Sequence, residues 1–436
     1  MLPKPSASCR KFSSLFSTSR GRRLATAFKH SITKQAVEPV PNKTMLYADI
    51  TRLLYRHLTK VSLTGIDRVN LEYVRWVMKR GGKLCAKRGQ RLLELASTPW
   101  LSHLLEGRRH AGAPASRIAQ RGNTLMKWWL ARRPVGVGET VLVPTHVWLG
   151  QDATWRWVTS RRLRAVVFIH DLIPIDFPEY QRPREKISHE IRMRLTLRHS
   201  AAIVANSHCT KSAICRFAEE ERLQVPPLLV APLGHNLPVA ITTTLKQGLR
   251  APYFVVLGTI EPRKNHLLLL ALWRHLTKKL GTQTPQLVVV GRRGWECEQV
   301  VDMLERCEAI HPHLLEISNA SDEQVVSLLE GARALLMPSY AEGFGMPVQE
   351  ALALGTPVVS SPLPAIQEFA GDIPDYAEPH DGMRWEELVK SYAADSSPQR
   401  QAQMERLKSF KATTWPQHFA LVEEFLEKAL LTTASP

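Results

Sequence analysis

The stretch Pro338-Ser-Tyr-Ala-Glu-Gly-Phe-Gly-Met-Pro-Val-Gln-Glu350 follows an apolar run at 334–337. The run predicts a buried strand, and Gly343 and Gly345 allow a tight turn with exposed backbone amides after it. Pro347 suits the first position of a helix, so a helix is predicted to start there with its positive end facing the turn. A strand, a glycine turn and a helix N-terminus together predict an anion-binding site.

The same stretch contains two glutamates that are eight positions apart. Glu342 lies in the predicted turn, and Glu350 lies in the predicted first turn of the helix. A carboxylate near a helix N-terminus can simply stabilise the helix dipole, so that explanation stays open for Glu350 beside a binding role.

Outward from this stretch, short β-branched runs alternate with helical patterns from Met45 onward. Nearly continuous apolar strands between helices are typical of parallel sheets that are covered on both faces. The predicted strands are 46–50, 140–144, 164–170, 202–206, 228–231, 253–258, 286–291, 314–317, 334–337 and 357–360, and the clearest helices are 66–80, 185–198, 321–330 and 347–354. So many strands would make one very wide sheet. The sequence therefore predicts an α/β fold of two doubly wound domains that face each other across a ligand cleft.

Two further turns after strands carry reactive side chains. The segment Gly258-Thr-Ile-Glu-Pro-Arg-Lys-Asn-His266 places Arg263 and Lys264 past a strand end, where two cations could bind a diphosphate. A surface Arg-Lys pair at a helix start is also commonplace, and that alternative stays open. His170 ends another strand, a position at which a histidine is more often structural than catalytic.

These segments together resemble retaining glycosyltransferases of family 4, because Glu342 to Glu350 matches the E-x7-E element of that family. The other similar segments are Thr64-Gly-Ile-Asp-Arg-Val69, His170-Asp-Leu-Ile-Pro174, Ala205-Asn-Ser207, Gly258-Thr-Ile-Glu-Pro-Arg-Lys-Asn265, Gly291-Arg-Arg-Gly-Trp295, Pro338-Ser339 and Gly355-Thr-Pro-Val-Val359. The first two resemble the branch that builds bacterial surface polysaccharides. The resemblance extends over residues 45–412 and is more specific in the C-terminal half.

The resemblance implies a GT-B fold, meaning two Rossmann-like domains, and sugar transfer from a nucleotide donor with retained anomeric configuration. It implies four catalytic residues: Glu342 near the donor sugar hydroxyls, His170 near the reacting carbon, and Arg263 and Lys264 at the diphosphate. The implied donor-binding residues are Gly65, Gly258, Arg263, Lys264, Gly343, Phe344, Gly345 and Glu350, with Glu350 at the ribose hydroxyls. Many family members have an arginine directly after the glycine that corresponds to Gly258, whereas this chain has Thr259.

The resemblance also sets the expected donor, acceptor and cofactors. GDP-mannose is the first candidate for the donor, and a glycan or lipid-linked oligosaccharide is the expected acceptor. No metal or other cofactor is expected, because the D-x-D motif of the other common glycosyltransferase fold occurs nowhere in the sequence. A paired-carboxylate glycoside hydrolase and a catalytically inactive GT-B binding scaffold remain as alternatives.

The organisation expected from these patterns has four parts. Residues 1–44 form a basic, disordered tail, a transit peptide or a dispensable start. The acceptor-side domain follows at 45–245, and the nucleotide-sugar domain at 246–412. Residues 413–436 form a helix that packs back on the first domain.

The basic composition indicates a polyanionic partner, since the formal net charge is +18. Residues 1–44 carry +8 of this charge, and the stretch 101–134 has seven Lys or Arg and one acid. Trp128 and Trp129 add the aromatic component of a membrane-surface helix, although a solvated face with two core tryptophans would look the same. Nucleic-acid recognition motifs are missing from the sequence, so nucleic acid is not an expected partner.

We therefore expect a cytoplasmic protein that contacts the anionic inner face of the cytoplasmic membrane peripherally. Anionic vesicles should recruit it, and neutralising Arg108, Arg109, Arg132 and Arg133 should abolish the recruitment. No apolar run is long enough for a membrane-spanning helix, and no signal peptide is recognised. The six cysteines are sparse and contain no C-x-x-C pair, which indicates reduced, mostly buried thiols rather than disulfides or a zinc site.

Overall fold

The computed structural model describes residues 44–59, 63–95, 101, 128, 131, 133–235 and 248–431. The predicted basic tail except Thr44, most of the basic stretch 101–134 and most of the residues between the two predicted domains lie outside this part of the chain.

The first sheet contains seven strands among the described residues. They are β1 (Leu46–Asp49), β2 (Lys83–Arg88), β3 (Arg91–Leu95), β4 (Thr140–Val143), β5 (Arg164–Ile169), β6 (Ala202–Ala205) and β7 (Leu228–Val230). Their order across the sheet is β3-β2-β1-β4-β5-β6-β7. All neighbours are parallel except β2 and β3, which form an antiparallel pair at one edge.

The second sheet contains six strands among the described residues. They are β8 (Tyr253–Leu257), β9 (Gln286–Val290), β10 (Leu314–Ile317), β11 (Leu335–Met337), β12 (Val358–Ser360) and β13 (Asp375–Tyr376). Their order is β10-β9-β8-β11-β12-β13, and every neighbouring pair is parallel. Crossover connections of this kind need helices on the faces of the sheet.

Helices connect these strands along the described chain. They are α1 (Thr51–Thr59), α2 (Gly65–Lys79), α3 (Asp152–Ser160), α4 (Ile173–Asp176), α5 (Glu185–His199), α6 (His208–Glu220), α7 (His266–Leu280), α8 (Glu298–Arg306), α9 (Asp322–Glu330), α10 (Met346–Ala353), α11 (Pro364–Ala370), α12 (Gly382–Ala393), α13 (Pro398–Leu407) and α14 (Trp415–Leu431). None of these described helices is both long enough and apolar enough to cross a membrane.

Both faces of each sheet are covered, as the apolar strands predict. In β5, Val166 and Phe168 pack into one buried cluster, while Ala165, Val167 and Ile169 pack into another on the opposite face. The second sheet has a corresponding pair of clusters. Burial on both faces explains why these strands lack the alternation of a half-exposed strand.

The predicted α/β architecture with two parallel-stranded sheets is confirmed, and all ten predicted strands form. Helix α9 begins with a capping box, in which Gln324 N–H donates to Ser321 Oγ at 3.2 Å and Ser321 N–H donates to Gln324 Oε1 at 2.9 Å. Strands β2, β3 and β13 were not predicted. The first two lie at a sheet edge and mix lysine, arginine and glutamate with leucine, so their apolar signal is weak.

The last helix packs on the first domain although it follows the second domain in sequence. Trp415, Phe419, Val422 and Leu426 of α14 lie in a buried cluster with residues of α2 and the first sheet. The fully buried His418 donates from Nδ1 to the Pro232 carbonyl at 2.9 Å, and its Nε2 lies 3.1 Å from the Tyr73 hydroxyl.

The described cysteines are free thiols: Cys85, Cys209, Cys215, Cys297 and Cys307. Only Cys85 among them is buried, and Cys215 is exposed. The expectation of mostly buried thiols is therefore wrong for this part of the chain, because the other four cysteines lie at helix ends or on an exposed helix face.

Candidate functional site

The predicted site residues follow strand ends in both domains. His170 comes directly after β5, and Asn206 and Ser207 come directly after β6. In the second domain, the segment 258–266 follows β8 and the segment 338–345 follows β11. Because parallel strands end at the same edge of a sheet, these turns lie at the carboxyl edge of each domain, where open α/β sheets bind ligands.

Arg263, Lys264 and Glu342 form one buried ionic network. Arg263 Nη1 lies 2.8 Å from Glu342 Oε2, and Lys264 Nζ lies 2.6 Å from Glu342 Oε1. Arg263 Nε also lies 2.6 Å from Glu261 Oε1. Lys264 is buried, with 7% of the residue exposed. This excludes the alternative of a commonplace surface Arg-Lys pair.

The pKa shifts in this network follow from burial and opposite charge. Burial opposes ionisation of Glu342, but Arg263 and Lys264 outweigh it and lower the pKa of this carboxyl to about 2. Burial lowers the pKa of Lys264, an effect that Glu342 partly offsets. Burial raises the pKa of Glu261. Near neutral pH the site therefore holds a cationic pair whose charge the Glu342 carboxylate compensates.

The glycine turn that contains Glu342 packs directly against the first domain. Ser207 Oγ donates to the Gly343 carbonyl at 2.9 Å. A Cβ atom at Gly343 would lie 2.3 Å from the His170 carbonyl oxygen, far inside van der Waals contact, so this position requires glycine. Asn206 Nδ2 donates to the same His170 carbonyl at 2.8 Å. The structure thus brings the His170 turn and the Glu342 turn together.

Two helix N-termini also meet here. Helix α2 begins at Gly65, and a Cβ at that residue would lie 3.4 Å from the sulfur of Met346, the first residue of α10. The N-termini of the two helices are therefore neighbours, and the positive ends of two helix dipoles close together favour an anion.

The start of α10 corrects two expectations. The helix begins at Met346 with Gly345 as its N-cap, so Pro347 occupies the second helical position rather than the predicted first. Glu350 consequently lies in the second helical turn, not the first. The influence of a helix dipole falls off within the first turn of the helix. Stabilisation of the α10 dipole therefore does not explain why a glutamate occupies position 350.

Phe344 and Gly258 contribute differently from the other predicted donor-site residues. The Phe344 side chain is 5% exposed and stacks on Phe369 with a centroid distance of 5.0 Å, so it anchors the turn by packing. Gly258 has φ +146°, which favours glycine, and the Lys264 side chain passes beside it. Its backbone conformation, rather than the space beside Lys264, therefore accounts for the glycine, since a Cβ there would lie 3.4 Å from the lysine.

His170 is buried and held in one orientation. Its Nε2 lies 2.8 Å from the Pro144 carbonyl oxygen, which can only accept, so Nε2 carries the proton. Burial lowers the pKa of His170, so the neutral ring predominates near neutral pH and Nδ1 is its acceptor atom.

The sequence predicts no role for Arg68, and the structure places it at the site. Its guanidinium reaches from α2 to Glu350 of α10, with Nη1 to Oε1 at 3.1 Å, and to Asp322 of α9, with Nη2 to Oδ1 at 2.5 Å. Arg68 and Glu350 are 282 positions apart. The sequence around Arg68 predicts that it lies one helical turn after Gly65. It does not predict the contact with Glu350.

The second domain is similar to a known family of transferases. Residues 244–405 match the family described as "Glycosyl transferases group 1". The match does not include the first domain.

Curated relatives of the chain include mannosyltransferases of surface polysaccharides. The chain is 27% identical to the serotype-specific mannosyltransferase WbdA of Escherichia coli over 220 residues, which is 47% of this chain and 27% of that protein. It is 29% identical to the O-antigen chain mannosyltransferase B of Escherichia coli over 231 residues, or 52% of this chain and 60% of that protein. The MMP alpha-(1->4)-mannosyltransferase of Mycolicibacterium hassiacum is 44% identical over 146 residues, or 31% of this chain and 33% of that protein. The chain thus spans between about a quarter and three fifths of these relatives.

Solved structures share the two-domain fold. Anabaena Alr3699/HepE in complex with UDP-glucose has a TM-score of 0.59 at 14% identity, covering 90% of this chain and all of that one. Sucrose-phosphate synthase from Thermosynechococcus elongatus has a TM-score of 0.58 at 14% identity with the same coverage. The GT-B fold implied by the sequence resemblance is confirmed, and the residues that match the group 1 family lie in its second half.

Proposed function

We propose that the protein is a retaining glycosyltransferase that moves mannose from GDP-mannose to a glycan or lipid-linked oligosaccharide in polysaccharide biosynthesis. The observation that carries the proposal is the buried Arg263–Lys264–Glu342 network beside two converging helix N-termini. Similarity to mannosyltransferases of surface polysaccharides supports the choice of sugar and pathway type. A paired-carboxylate hydrolase has no use for a buried cationic pair at this position.

In the proposed reaction, the anomeric C–O bond of the donor breaks and negative charge grows on the leaving diphosphate. Lys264, Arg263 and the amides at the starts of α2 and α10 stabilise this charge, as preorganised dipoles and cations do in other enzymes. Glu350 accepts hydrogen bonds from the ribose hydroxyls. Glu342 accepts hydrogen bonds from the sugar while it holds both cations in place.

His170 contributes as a neutral hydrogen-bond partner. With Nε2–H donated to Pro144, the Nδ1 atom is available to accept from a sugar hydroxyl near the reacting carbon. The acceptor hydroxyl attacks from the face that the diphosphate leaves, its oxygen bonds to the anomeric carbon, and its proton passes to a departing phosphate oxygen. Because attack and departure occur on the same face, the transferred sugar retains its anomeric configuration. No side chain needs to act as the base.

Metal independence and membrane contact are parts of the proposal. The cations and helix ends supply the positive charge that a divalent metal would otherwise provide, so chelation of metals should not change the rate. The basic stretch 101–134, largely outside the described residues, is proposed to contact anionic lipid peripherally at the inner face of the cytoplasmic membrane.

A panel of nucleotide sugars, scored by nucleotide release with a lipid-linked acceptor, tests the function. We expect GDP from GDP-mannose and a loss of about 100-fold or more in kcat/KM for Lys264→Ala. Lys279→Ala is the matched control, because Lys279 is an exposed lysine of the same domain that pairs with Glu386. Failure to bind either GDP or UDP, or release of free sugar from glycans without a nucleotide donor, would overturn the proposal.

A further inference from the structure

Arg68 connects the first domain to the predicted ribose-binding carboxylate of the second. It belongs to α2, whose first residue, Gly65, faces the start of α10. From there its guanidinium donates to Glu350 and Asp322 at the same time. The Glu350 side chain is 7% exposed, whereas those of Arg68 and Asp322 are 41% and 45% exposed. The ion pair is therefore exposed at the Arg68 and Asp322 end and buried at the Glu350 end.

The surroundings of Glu350 oppose its ionisation, and Arg68 offsets this opposition in part. Burial raises the pKa of this carboxyl, and the neighbouring negative charge of Asp322 on α9 raises it further. Arg68 on α2 lowers it through its positive charge and its hydrogen bond. Without Arg68, both remaining influences favour the protonated form.

The charge on Glu350 determines what the residue can bind. An ionised carboxylate has two oxygens that only accept, so it can take hydrogen bonds from two neighbouring hydroxyls of a ribose. A protonated carboxyl turns one of these oxygens into a donor and loses that two-acceptor geometry.

We propose that Arg68 is a positioning residue for the ribonucleotide donor, which keeps Glu350 ionised and oriented to accept both ribose hydroxyls. This inference rests on the proposed function. It assigns donor binding a contribution from the first domain. Ribonucleotide affinity then depends on the contact between the two domains.

The test compares wild type, Arg68→Gln and Arg68→Lys by calorimetric titration with GDP and UDP and with their 2′-deoxy forms. Measurements extend from about pH 5.5 to about pH 8.5, which lies above the ordinary pKa of a glutamate carboxyl. We expect R68Q to bind the preferred ribonucleotide about 10-fold more weakly at the acid end and to recover as Glu350 ionises with rising pH. At the acid end, R68Q should also lose its preference for the ribonucleotide over the 2′-deoxy form. R68K should retain most of the affinity and most of this preference.

Arg75→Gln is the matched control, since it removes an arginine from the same helix that pairs with Glu72 instead. Equal affinities of R68Q and wild type at every pH would overturn the inference. The inference would also fail if R68Q lost the same amount of nucleotide affinity at every pH and still preferred the ribonucleotide over its 2′-deoxy form. Arg68 would then not act through Glu350. If wild type binds neither GDP nor UDP, the proposed function itself fails, and this result is visible without any variant.

Discussion

At the level of single residues, Glu342 is the counter-ion that allows two cations to be buried together. Its carboxylate contacts both Arg263 and Lys264, and its side chain is 7% exposed. Burying a cation without a partner is costly, whereas a paired cation is tolerated. Glu342 therefore contributes to the stability of the folded protein, in addition to the proposed contact with a sugar.

Replacing Glu342 with glutamine should destabilise the protein by about 3 kcal/mol, because it leaves Arg263 and Lys264 with less compensating charge. The lowered pKa of about 2 means that the carboxylate stabilises the fold above the ordinary value of 4.5 and that this contribution is lost as pH falls toward 2. E342Q should lack this part of the acid destabilisation. Urea unfolding at several pH values measures both effects.

The control for E342Q is Glu405→Gln, which removes a carboxylate whose side chain is 70% exposed and pairs with an equally exposed Lys408. Such pairs contribute little, so E405Q should stay within about 0.5 kcal/mol of wild type. Equal unfolding midpoints for E342Q and E405Q would show that Glu342 is not the counter-ion described here.

At the level of elements, the turn at 342–345 joins the two domains through its backbone. Gly343 contacts the His170 carbonyl and Ser207, and Tyr340 just before the turn stacks on Tyr180 of the first domain at 5.0 Å. The turn can hold Glu342 beside its cations only if this close backbone approach is preserved.

Gly343→Ala should lower kcat/KM by about 10- to 100-fold, because the added methyl group displaces the turn and misplacement by about 1 Å can cost this much. Steady-state nucleotide release measures the effect. Gly382→Ala is the control, since its Cβ would lie 3.9 Å from the nearest heavy atom and it begins α12, where alanine is favourable. Full activity in G343A would contradict the proposed importance of this contact.

The elements also show how far sequence reasoning extends. The β11 strand, the glycine turn and a helix near Pro347 were predictable because strand burial, glycine and proline act locally. The edge strands β2 and β3 were not, since their polar residues hide the strand pattern. The Arg68–Glu350 pair was not predictable either, because it depends on how two separately folded sheets face each other.

At the level of the whole molecule, the final helix contributes to the stability of the first domain. The predicted basic tail and most of the basic stretch 101–134 lie outside the described residues, so the placement of the excess charge stays a prediction. Helix α14 packs on α2, since Phe419 stacks on Trp76 at 5.0 Å and meets Tyr73 edge-on at 5.2 Å. The chain thus returns from the second domain to complete a core that began near Met45.

Phe419→Ala should therefore destabilise the first domain by about 3 kcal/mol, the usual cost of removing a buried aromatic ring. The matched control is Leu421→Ala on the same helix, whose residue is 40% exposed and which should change stability by no more than about 0.5 kcal/mol. Urea unfolding followed by tryptophan fluorescence measures both variants, because Trp76 and Trp415 lie in the affected cluster. If α14 were only an appendage of the second domain, F419A and L421A would unfold at the same urea concentration. A lower midpoint for F419A alone is expected, because Phe419 closes the first-domain core and Leu421 faces away from it.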